Sequence, residues 1–532
     1  MNVSSASLTK NIAIVGSGPT ALYTLAELIK SPVKQMITIF EAQSLAGFGM
    51  PYSPNAAQAL MLANIGSIEI PPLTQTYLEW LQSRSAEMLQ VYGVTHDELH
   101  DRMFLPRILL GSWYSDELYA LIYAAREKGH RVAIHENVAV EDVVSEGSQI
   151  RLVFDAESGV PDQFFTHVVL ATGHVWPSDQ EGTGRFRSPW DRLAHEEVPA
   201  IDVGIIGTSL SGMDAVLAVA CQHGHFAEDG DDLTYVPNSR TGGLHITMMS
   251  RQGILPEADF WFDYPPKPLR VMTDEAVENA LAEGRDGLLD RMWALFTQEM
   301  KLEDREYFDR MGLASASPED FAGAYFKPRL ATGPFDWARD NLAEVDENAA
   351  KQHAVPWRCA ILDMHEKFEE IAGHLTATDQ ARFKPLARVF IDNYAAVPPT
   401  SIRRMLALHD AGKLTIMRLG NDYAIRNTGN ASRVTTTEGE VREFKVIIDA
   451  RGQKSLGACD LSFASLATSL PDGEVPVTDQ LTVDTDQWRG RLYLPAAPYL
   501  LGRFPFCQGL TASAQFGKWV SSGILEHDHV IA

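Results

Sequence analysis

The stretch Asn11-Ile12-Ala13-Ile14-Val15-Gly16-Ser17-Gly18-Pro19-Thr20-Ala21 decides the fold. Its first five residues are nearly all apolar, as in a parallel strand buried on both faces. The glycines then interrupt it. Gly16 permits a tight turn, Gly18 lets the backbone approach a pyrophosphate, and the small Ala21 lets helix and strand pack closely. Leu22, Leu25, Ala26, Leu28 and Ile29 recur at helical spacing until Ser31-Pro32 breaks the pattern. Ile37-Thr38-Ile39-Phe40 reads as a second strand, ending at Glu41. Strand, glycine turn, helix, strand and acid fall in the order of a dinucleotide-binding unit. The helix N-terminus at Pro19-Thr20 faces a diphosphate, and Glu41 is placed to accept hydrogen bonds from a ribose.

The unit restarts near residue 201. Ile201–Ile206 is a strand, Gly207-Thr208-Ser209-Leu210-Ser211-Gly212 is the turn, and 213–222 reads as a helix. Polar residues 228–232 read as a loop containing the acidic surroundings of His223 and His225. Leu244–Met249 is the next strand, running into Ser250-Arg251. The copies also finish alike, in Val168–Gly173, which holds Thr172, and in Val446–Gly452. Alternating segments at 150–154 and around 431–436 precede these strands, as hairpins do. Residues 272–412 read as helical, bounded by Tyr264-Pro265-Pro266 and Val397-Pro398-Pro399.

The expected fold is therefore α/β, with two Rossmann-like three-layer dinucleotide-binding domains and a helical insertion in the second. The expected boundaries are 1–198 for the first part of an FAD-binding domain and 199–271 for the first part of an NAD(P)-binding domain. The insertion would span 272–412, the second part of the NAD(P) domain 413–445, and the C-terminal part of the FAD domain 446–532. Two units in one chain suggest two cofactors, FAD first and a nicotinamide second. A carboxylate at the end of the second unit's strand would repel a 2′-phosphate, whereas Arg251 would attract it and favour NADPH. The alternative role for Arg251 is a surface ion pair.

The 532 residues carry 70 acidic and 45 basic side chains, a formal charge of −25. That balance opposes nucleic-acid and anionic-membrane partners. No apolar run reaches the length of a membrane span, and the N-terminus lacks the pattern of a signal peptide, so a cytoplasmic location is expected. Cys221, Cys359, Cys459 and Cys507 are far apart in sequence, which leaves no CxxC redox pair or zinc site. No metal is expected, a small molecule is the expected partner, and the oligomeric state is open.

Longer motifs add a family likeness: Ile14–Ala21, Gly49-Met50-Pro51-Tyr52, Met61–Ile65, Leu105-Pro106-Arg107-Ile108 and Ala171–His174. Others are Gly207–Gly212, Ile254–Phe260, Asp392-Asn393-Tyr394 and Gln508-Gly509-Leu510-Thr511. Over essentially its whole length the chain resembles bacterial FAD/NAD(P)-binding proteins of unassigned substrate, one enterobacterial subgroup especially. These are similar to flavin-dependent N-hydroxylating monooxygenases. The resemblance implies that segment 48–64 runs along the flavin, with Asn64 near the ring. Arg107 would lie near the isoalloxazine or the diphosphate, and the backbone at Val138 would meet the adenine. Gly173 and Gly452 would close the two domain-crossing strands. Gln508-Gly509-Leu510 would open a helix against the flavin pyrimidine. Arg107 could equally anchor its helix through an ion pair, and Asn64 could cap a turn.

The activity implied is an FAD-dependent oxidoreductase reduced by NADPH, an N-hydroxylase-like monooxygenase acting on a small amine or amino acid. Arg107, Arg358, Arg403 and Arg404 are candidates to hold a substrate carboxylate. The alternatives are an NAD(P)H-dependent reductase without oxygen insertion and a non-catalytic FAD-binding redox sensor.

Overall fold

A computed structural model of the chain describes residues 10–177, 184–190, 192–229, 232–239 and 242–526. It divides into two compact units. The first holds residues up to Ala59, Ile65–Val175 and the chain from Gln453 onward; the second holds Leu60–Asn64 and Trp176–Gly452.

In the first unit, strand Asn11–Val15 lies at the centre of a five-stranded parallel sheet. Its neighbours are Met36–Phe40 and His167–Leu170, with Arg131–His135 and Leu492–Tyr493 at the edges. Ala13 and Val15 join Leu152, Phe154 and Phe165 of the antiparallel sheet Val140–Glu146, Gln149–Phe154 and Gln163–Phe165 in one apolar cluster. Helices Pro19–Leu28, Arg107–Glu127 and Leu510–Glu526 form the third layer. Strands buried on both faces explain the continuous apolar run that opens the sequence.

The second unit repeats this plan. Asp202–Ile206 is central, flanked by His245–Ser250 and Val446–Asp449, with Leu414–Arg418 and Arg185–Phe186 at the edges, all parallel. A three-stranded antiparallel sheet, Ala424–Asn427, Ser432–Thr435 and Val441–Phe444, packs Val434 and Phe444 against Ile206, Met249 and Ile447. The Arg185–Phe186 edge corrects the expected boundaries. The chain enters the second unit at Trp176, before 199, and Val446–Asp449 belongs to the second sheet, so the first unit resumes at Gln453 and not at 446.

A second correction concerns residues 224–237. They form an antiparallel hairpin, Gly224–Asp229 with Asp232–Pro237, where a loop was expected; residues 230 and 231 lie outside the described set. Tyr235 docks on the backbone of Gly224, donates from its hydroxyl to the Ala220 carbonyl at 2.8 Å, and meets Phe226 edge-on. That aromatic anchor outweighs the acidic composition. His223 is buried with Nε2 2.7 Å from the Val198 carbonyl, so it is no solvated loop residue.

The helical insertion comprises seven helices, from Asp274–Ala282 to Ala377–Tyr394. Phe296, Phe321, Phe368 and Phe390 are fully buried and form its aromatic centre. The next helix, Pro399–Asp410, packs on Asp232–Pro237 and leads into strand Leu414–Arg418. It occupies the place that Arg107–Glu127 holds before Arg131–His135 in the first unit. The insertion thus ends before 399 and not at 412. Both units carry their inserted segment, 41–106 and 251–398, between the second strand and this helix.

Asp363, in helix Pro356–Ala372, lines a cavity of about 150 Å³ with Asp263, Lys267, Glu303 and Cys359. Burial, then the charges of Glu366, Glu303 and Glu299, raise its carboxyl to about 7. A raised carboxyl binds its proton more tightly in the folded state, so its stabilising contribution is full at acid pH and is lost as pH rises from about 4 to 7. Asp363→Asn is therefore expected to raise Tm at pH 8 and leave it nearly unchanged at pH 4. Thermal melts at both pH values check this; an equal change at both contradicts it.

Candidate dinucleotide sites

In the first unit the glycine turn is held by contacts that leave no room for a side chain. Gly16 has φ +95°, its N–H donates to the Phe40 carbonyl at 2.8 Å, and a Cβ there would lie 2.4 Å from the Ala171 oxygen. Gly18 is extended; a Cβ on it would stand 3.2 Å from the Cα of Gly49. The approach of segment 46–52 therefore also makes position 18 tight for a side chain, a constraint with no counterpart in the local sequence pattern. Gly47 and Gly111 serve the same segment: a Cβ on Gly47 would lie 2.5 Å from Ser115 Cα, and one on Gly111 2.4 Å from the Tyr52 carbonyl. Pro19 is the first helical residue, where its missing N–H costs nothing. Ala21 is buried, and its N–H donates to the Gly18 carbonyl at 2.9 Å.

Ser17 is the functional residue that sequence reasoning missed, because the position between the two glycines carries no fixed residue type. Its hydroxyl donates to Glu41 Oε2 at 2.6 Å and accepts from Gly47 N–H at 2.9 Å. Glu41 Oε2 also accepts from Ser17 N–H at 3.1 Å, and Oε1 from Gln43 N–H at 2.9 Å. A carboxylate has about four acceptor positions, so this one is oriented with capacity left for a ribose hydroxyl. The N–H of Val138 donates to the Glu41 carbonyl at 2.9 Å, so an adenine contact there would have to use other atoms of that backbone.

Helix Leu510–Glu526 lies parallel to Pro19–Leu28. Thr20 Oγ1 donates to Ser513 Oγ at 3.2 Å, and one turn further Ser521 Oγ donates to the Thr24 carbonyl at 3.1 Å. Gly517 makes the close approach possible, since a Cβ on it would lie 2.7 Å from the Tyr23 backbone. Two helix N-termini, at Gly18-Pro19 and at Gly509-Leu510 after the exposed Gln508, therefore sit side by side at the carboxyl end of the parallel sheet. The first few N–H groups of each have no partner within their helix, and both dipoles present positive ends. Aligned N-termini beside a glycine cradle suit the diphosphate and the electron-rich pyrimidine edge of FAD. The residues present fit that group.

Arg107 is buried at the first position of its long helix, close to Tyr52. Burial raises the Tyr52 phenol to about 12, against the opposing Arg107 charge. Thr172 and Gly173, φ +68°, follow strand His167–Leu170 where the chain leaves the unit, and Gly452 precedes its return. Asn64 is half-buried in the short stretch Leu60–Asn64, which groups with the second unit, where Arg404 Nη1 donates to the Leu60 carbonyl at 2.6 Å.

The second cradle copies the first. Gly207 has φ +123°, its N–H donates to the Met249 carbonyl at 2.7 Å, and a Cβ would lie 2.6 Å from the Ala450 oxygen. A Cβ on Gly212 would reach within 2.5 Å of the Gly207 oxygen. Ser209 caps helix Leu210–His223 with extended backbone, and Ser211 lies in its first turn. Thr208 Oγ1 donates to Ser250 Oγ at 3.1 Å, as Ser17 does to Glu41. Register makes this equivalence firm: Val15 pairs Phe40, and Ile206 pairs Met249. The counterpart of Glu41 is thus Ser250, and Arg251 stands one residue beyond it, a correction to the sequence reading. No carboxylate occupies the ribose position of this unit.

The other candidate arginines separate clearly. Arg358 is buried and paired with Glu257, and Arg403 is paired with Asp346 at 2.6 Å. Neither is available for a substrate carboxylate. Glu257 also accepts from Trp337 Nε1 at 3.0 Å, while Arg329 pairs with Asp392 and donates to the Leu255 carbonyl. The Ile254–Phe260 and Asp392–Tyr394 motifs therefore fasten the insertion to the loop after the second unit's second strand. All four cysteines are thiols, and Cys507 is buried. Among the described residues no cluster of His, Cys, Asp or Glu is placed to hold a metal, and no helix is long and apolar enough to cross a membrane.

Comparison with known proteins agrees with this geometry. The FAD-NAD(P)-binding family matches residues 13–175, and the YdhS-like middle domain matches 273–394, within the helical insertion. The chain shares the fold of the ornithine N-hydroxylase of Kutzneria sp. 744, solved with reduced FAD, NADP⁺ and L-ornithine. The two are 13% identical, with 98% of this chain and 100% of that one covered and a TM-score of 0.51. L-lysine 6-monooxygenase from Pseudomonas syringae gives 12% identity, coverages of 98% and 100%, and a TM-score of 0.51. Fold and cradles thus define an FAD/NAD(P)-binding protein. The chain is 45% identical over 525 residues to the uncharacterized protein YdhS of Escherichia coli strain K12, covering 97% of this chain and 98% of that one. It belongs to the YdhS family.

Proposed function

We propose that this protein is an NADPH-reduced, FAD-dependent monooxygenase that N-hydroxylates a small amine or amino acid. The observation that carries the reading is the duplicated cradle. Gly16 and Gly207 are pressed against the carbonyls of Ala171 and Ala450 in the same way, so one chain holds two dinucleotide seats. Only the first has a carboxylate at the ribose position; the second has Ser250 there, with Arg251 one residue beyond. FAD, when bound, would accept a hydride from NADPH and deliver the electrons to oxygen, one oxygen atom passing to the amine nitrogen and the other leaving as water. The chain's own part is to orient Glu41 through Ser17, to hold the diphosphate at Gly18-Pro19, and to place the Gly509-Leu510 helix end where negative charge gathers. The four cysteines are free thiols far apart in sequence with no CxxC pair, which speaks against a disulfide reductase. The shared fold with the ornithine and lysine hydroxylases supports an amine substrate as the first class to test. For a carboxylate on it, Arg404 is the remaining candidate in this part of the chain: it is half-buried, with a backbone carbonyl as its hydrogen-bond partner.

The test is a screen of amines and amino acids for stimulated NADPH oxidation, with hydroxylamine product measured against oxygen consumed. One substrate giving stoichiometric product supports the reading. Rapid electron transfer to a small acceptor, with peroxide as the sole product of oxygen for every amine, replaces it with a reductase.

A further inference from the structure

Three arginines gather around the loop that follows the second strand of the second unit. Arg251 follows that strand, and Arg418 ends the neighbouring strand in register with Ser250. The ladder continues past them, Leu419 N–H donating to the Ser250 carbonyl at 2.8 Å and Gly420 N–H to the Arg251 carbonyl at 3.1 Å. Gly253, φ +67°, turns the chain back so tightly that a Cβ on it would lie 2.9 Å from Arg418 Cβ. The third, Arg388, comes from helix Ala377–Tyr394 of the insertion. Its Nη2 donates to the Gln252 side chain, and its guanidinium lies 5.3 Å from the Phe326 ring centre. All three side chains are exposed, and among the described residues none is in an ion pair. Packing around Arg388 and the adjacent Arg251 charge both lower its affinity for its proton. Asp392 opposes that shift, but it is already paired with Arg329, so in a chain of formal charge −25 these arginines keep an excess of positive charge that an anion would balance.

We infer that Arg388 and Arg418 join Arg251 in seating the 2′-phosphate of the nicotinamide cofactor, so that the helical insertion takes part in cofactor selection. This rests on the reading that the second cradle takes NADPH, and it extends that reading from one arginine to three. The diphosphate seat at Gly207–Gly212 fixes the adenosine ribose near Ser250, and the cluster begins one residue further on. A dianionic phosphate is best held by planar guanidinium forks arriving from different directions. Gln252 and the Phe326 ring fix the direction of Arg388.

The experiment is calorimetric titration of the FAD-loaded protein with adenosine 2′,5′-bisphosphate, 5′-AMP and inorganic phosphate. The wild type is expected to bind the bisphosphate at least tenfold more tightly than 5′-AMP. Arg388→Ala and Arg418→Ala should each weaken bisphosphate binding by about tenfold, comparable to loss of one charge-assisted contact, and leave 5′-AMP binding unchanged. Arg388→Lys, which keeps the charge and loses the fork, should fall between. Wild-type discrimination retained in Arg388→Ala and Arg418→Ala but lost in Arg251→Ala would overturn the inference and leave the NADPH reading standing. A wild type that does not discriminate between bisphosphate and 5′-AMP would instead overturn the NADPH reading itself. Inorganic phosphate binding as tightly as the bisphosphate would make the cluster a general anion site and also overturn the inference.

Discussion

Gly16→Ala is expected to yield a protein purified without flavin, whereas Gly207→Ala should keep its flavin and lose reduction by NADPH. The two substitutions add the same methyl at equivalent places. At Gly16 it falls 2.4 Å from the Ala171 oxygen, and at Gly207 2.6 Å from the Ala450 oxygen, both against backbone that cannot swing aside. Both positions also have φ near or above +95°, where a side chain adds strain of about 1–3 kcal/mol. The turn must shift, and with it the diphosphate seat. A displacement of that energy corresponds to a loss of affinity on the order of a hundredfold for the cofactor of that unit alone. Flavin content by absorbance and NADPH-driven bleaching, measured on both variants alongside their thermal melts, give the answer. Flavin at full occupancy in Gly16→Ala, or equal flavin loss in both, would refute the assignment of the cradles.

The second large effect is expected at Glu257. This carboxylate is buried between Arg358 and Arg329, and Asp392 balances the second arginine. Burial would raise Glu257, but the two arginines outweigh it and hold the carboxyl below its usual range. At Asp392 burial prevails over Arg329 and the carboxyl is raised, with Tyr325 donating to it at 2.9 Å. Glu257→Gln removes the buried partner of Arg358 and leaves it only the half-exposed Glu344 at 3.7 Å. Breaking a buried pair from one side costs about 3–5 kcal/mol, which shifts the melting of a unit this size by roughly 10 °C. Replacing both partners, Glu257→Met with Arg358→Met, should cost less than the single change. Melts followed by tryptophan fluorescence distinguish these outcomes; a single variant as stable as wild type contradicts the network.

Much of the fold was legible because local signals and tertiary demands coincide. At Gly16 and Gly207 the tight turn, the following helix and the buried strand all require the same residues in the same order. Alternation near 150–154 and 431–436 marked the antiparallel sheets for the same reason. Other features depend on partners distant in sequence. The hairpin at 224–237 is held by Tyr235 on Gly224 and Ala220, which an acidic, glycine-containing stretch does not announce. The end of the second unit's strand is set by pairing with Ile206, so Ser250 rather than Arg251 takes the place of Glu41. Gly18 looks like a pyrophosphate glycine, yet Gly49 presses on it from a segment 31 residues away. Arg388 carried no signal at all, because only the packing of the insertion brings it to Arg251. Arg358, one of four arginines that could hold a substrate carboxylate, is committed to Glu257 by packing of the insertion that the sequence does not announce.

The most direct test of the central claim is anaerobic mixing of the purified, flavin-bearing protein with NADPH and, separately, with NADH, following the visible absorbance of the flavin. Two dinucleotide seats serving one redox reaction predict that NADPH bleaches the flavin completely and that NADH does so at least tenfold more weakly at equal concentration. Flavin that stays oxidised in the presence of either nucleotide would contradict the account.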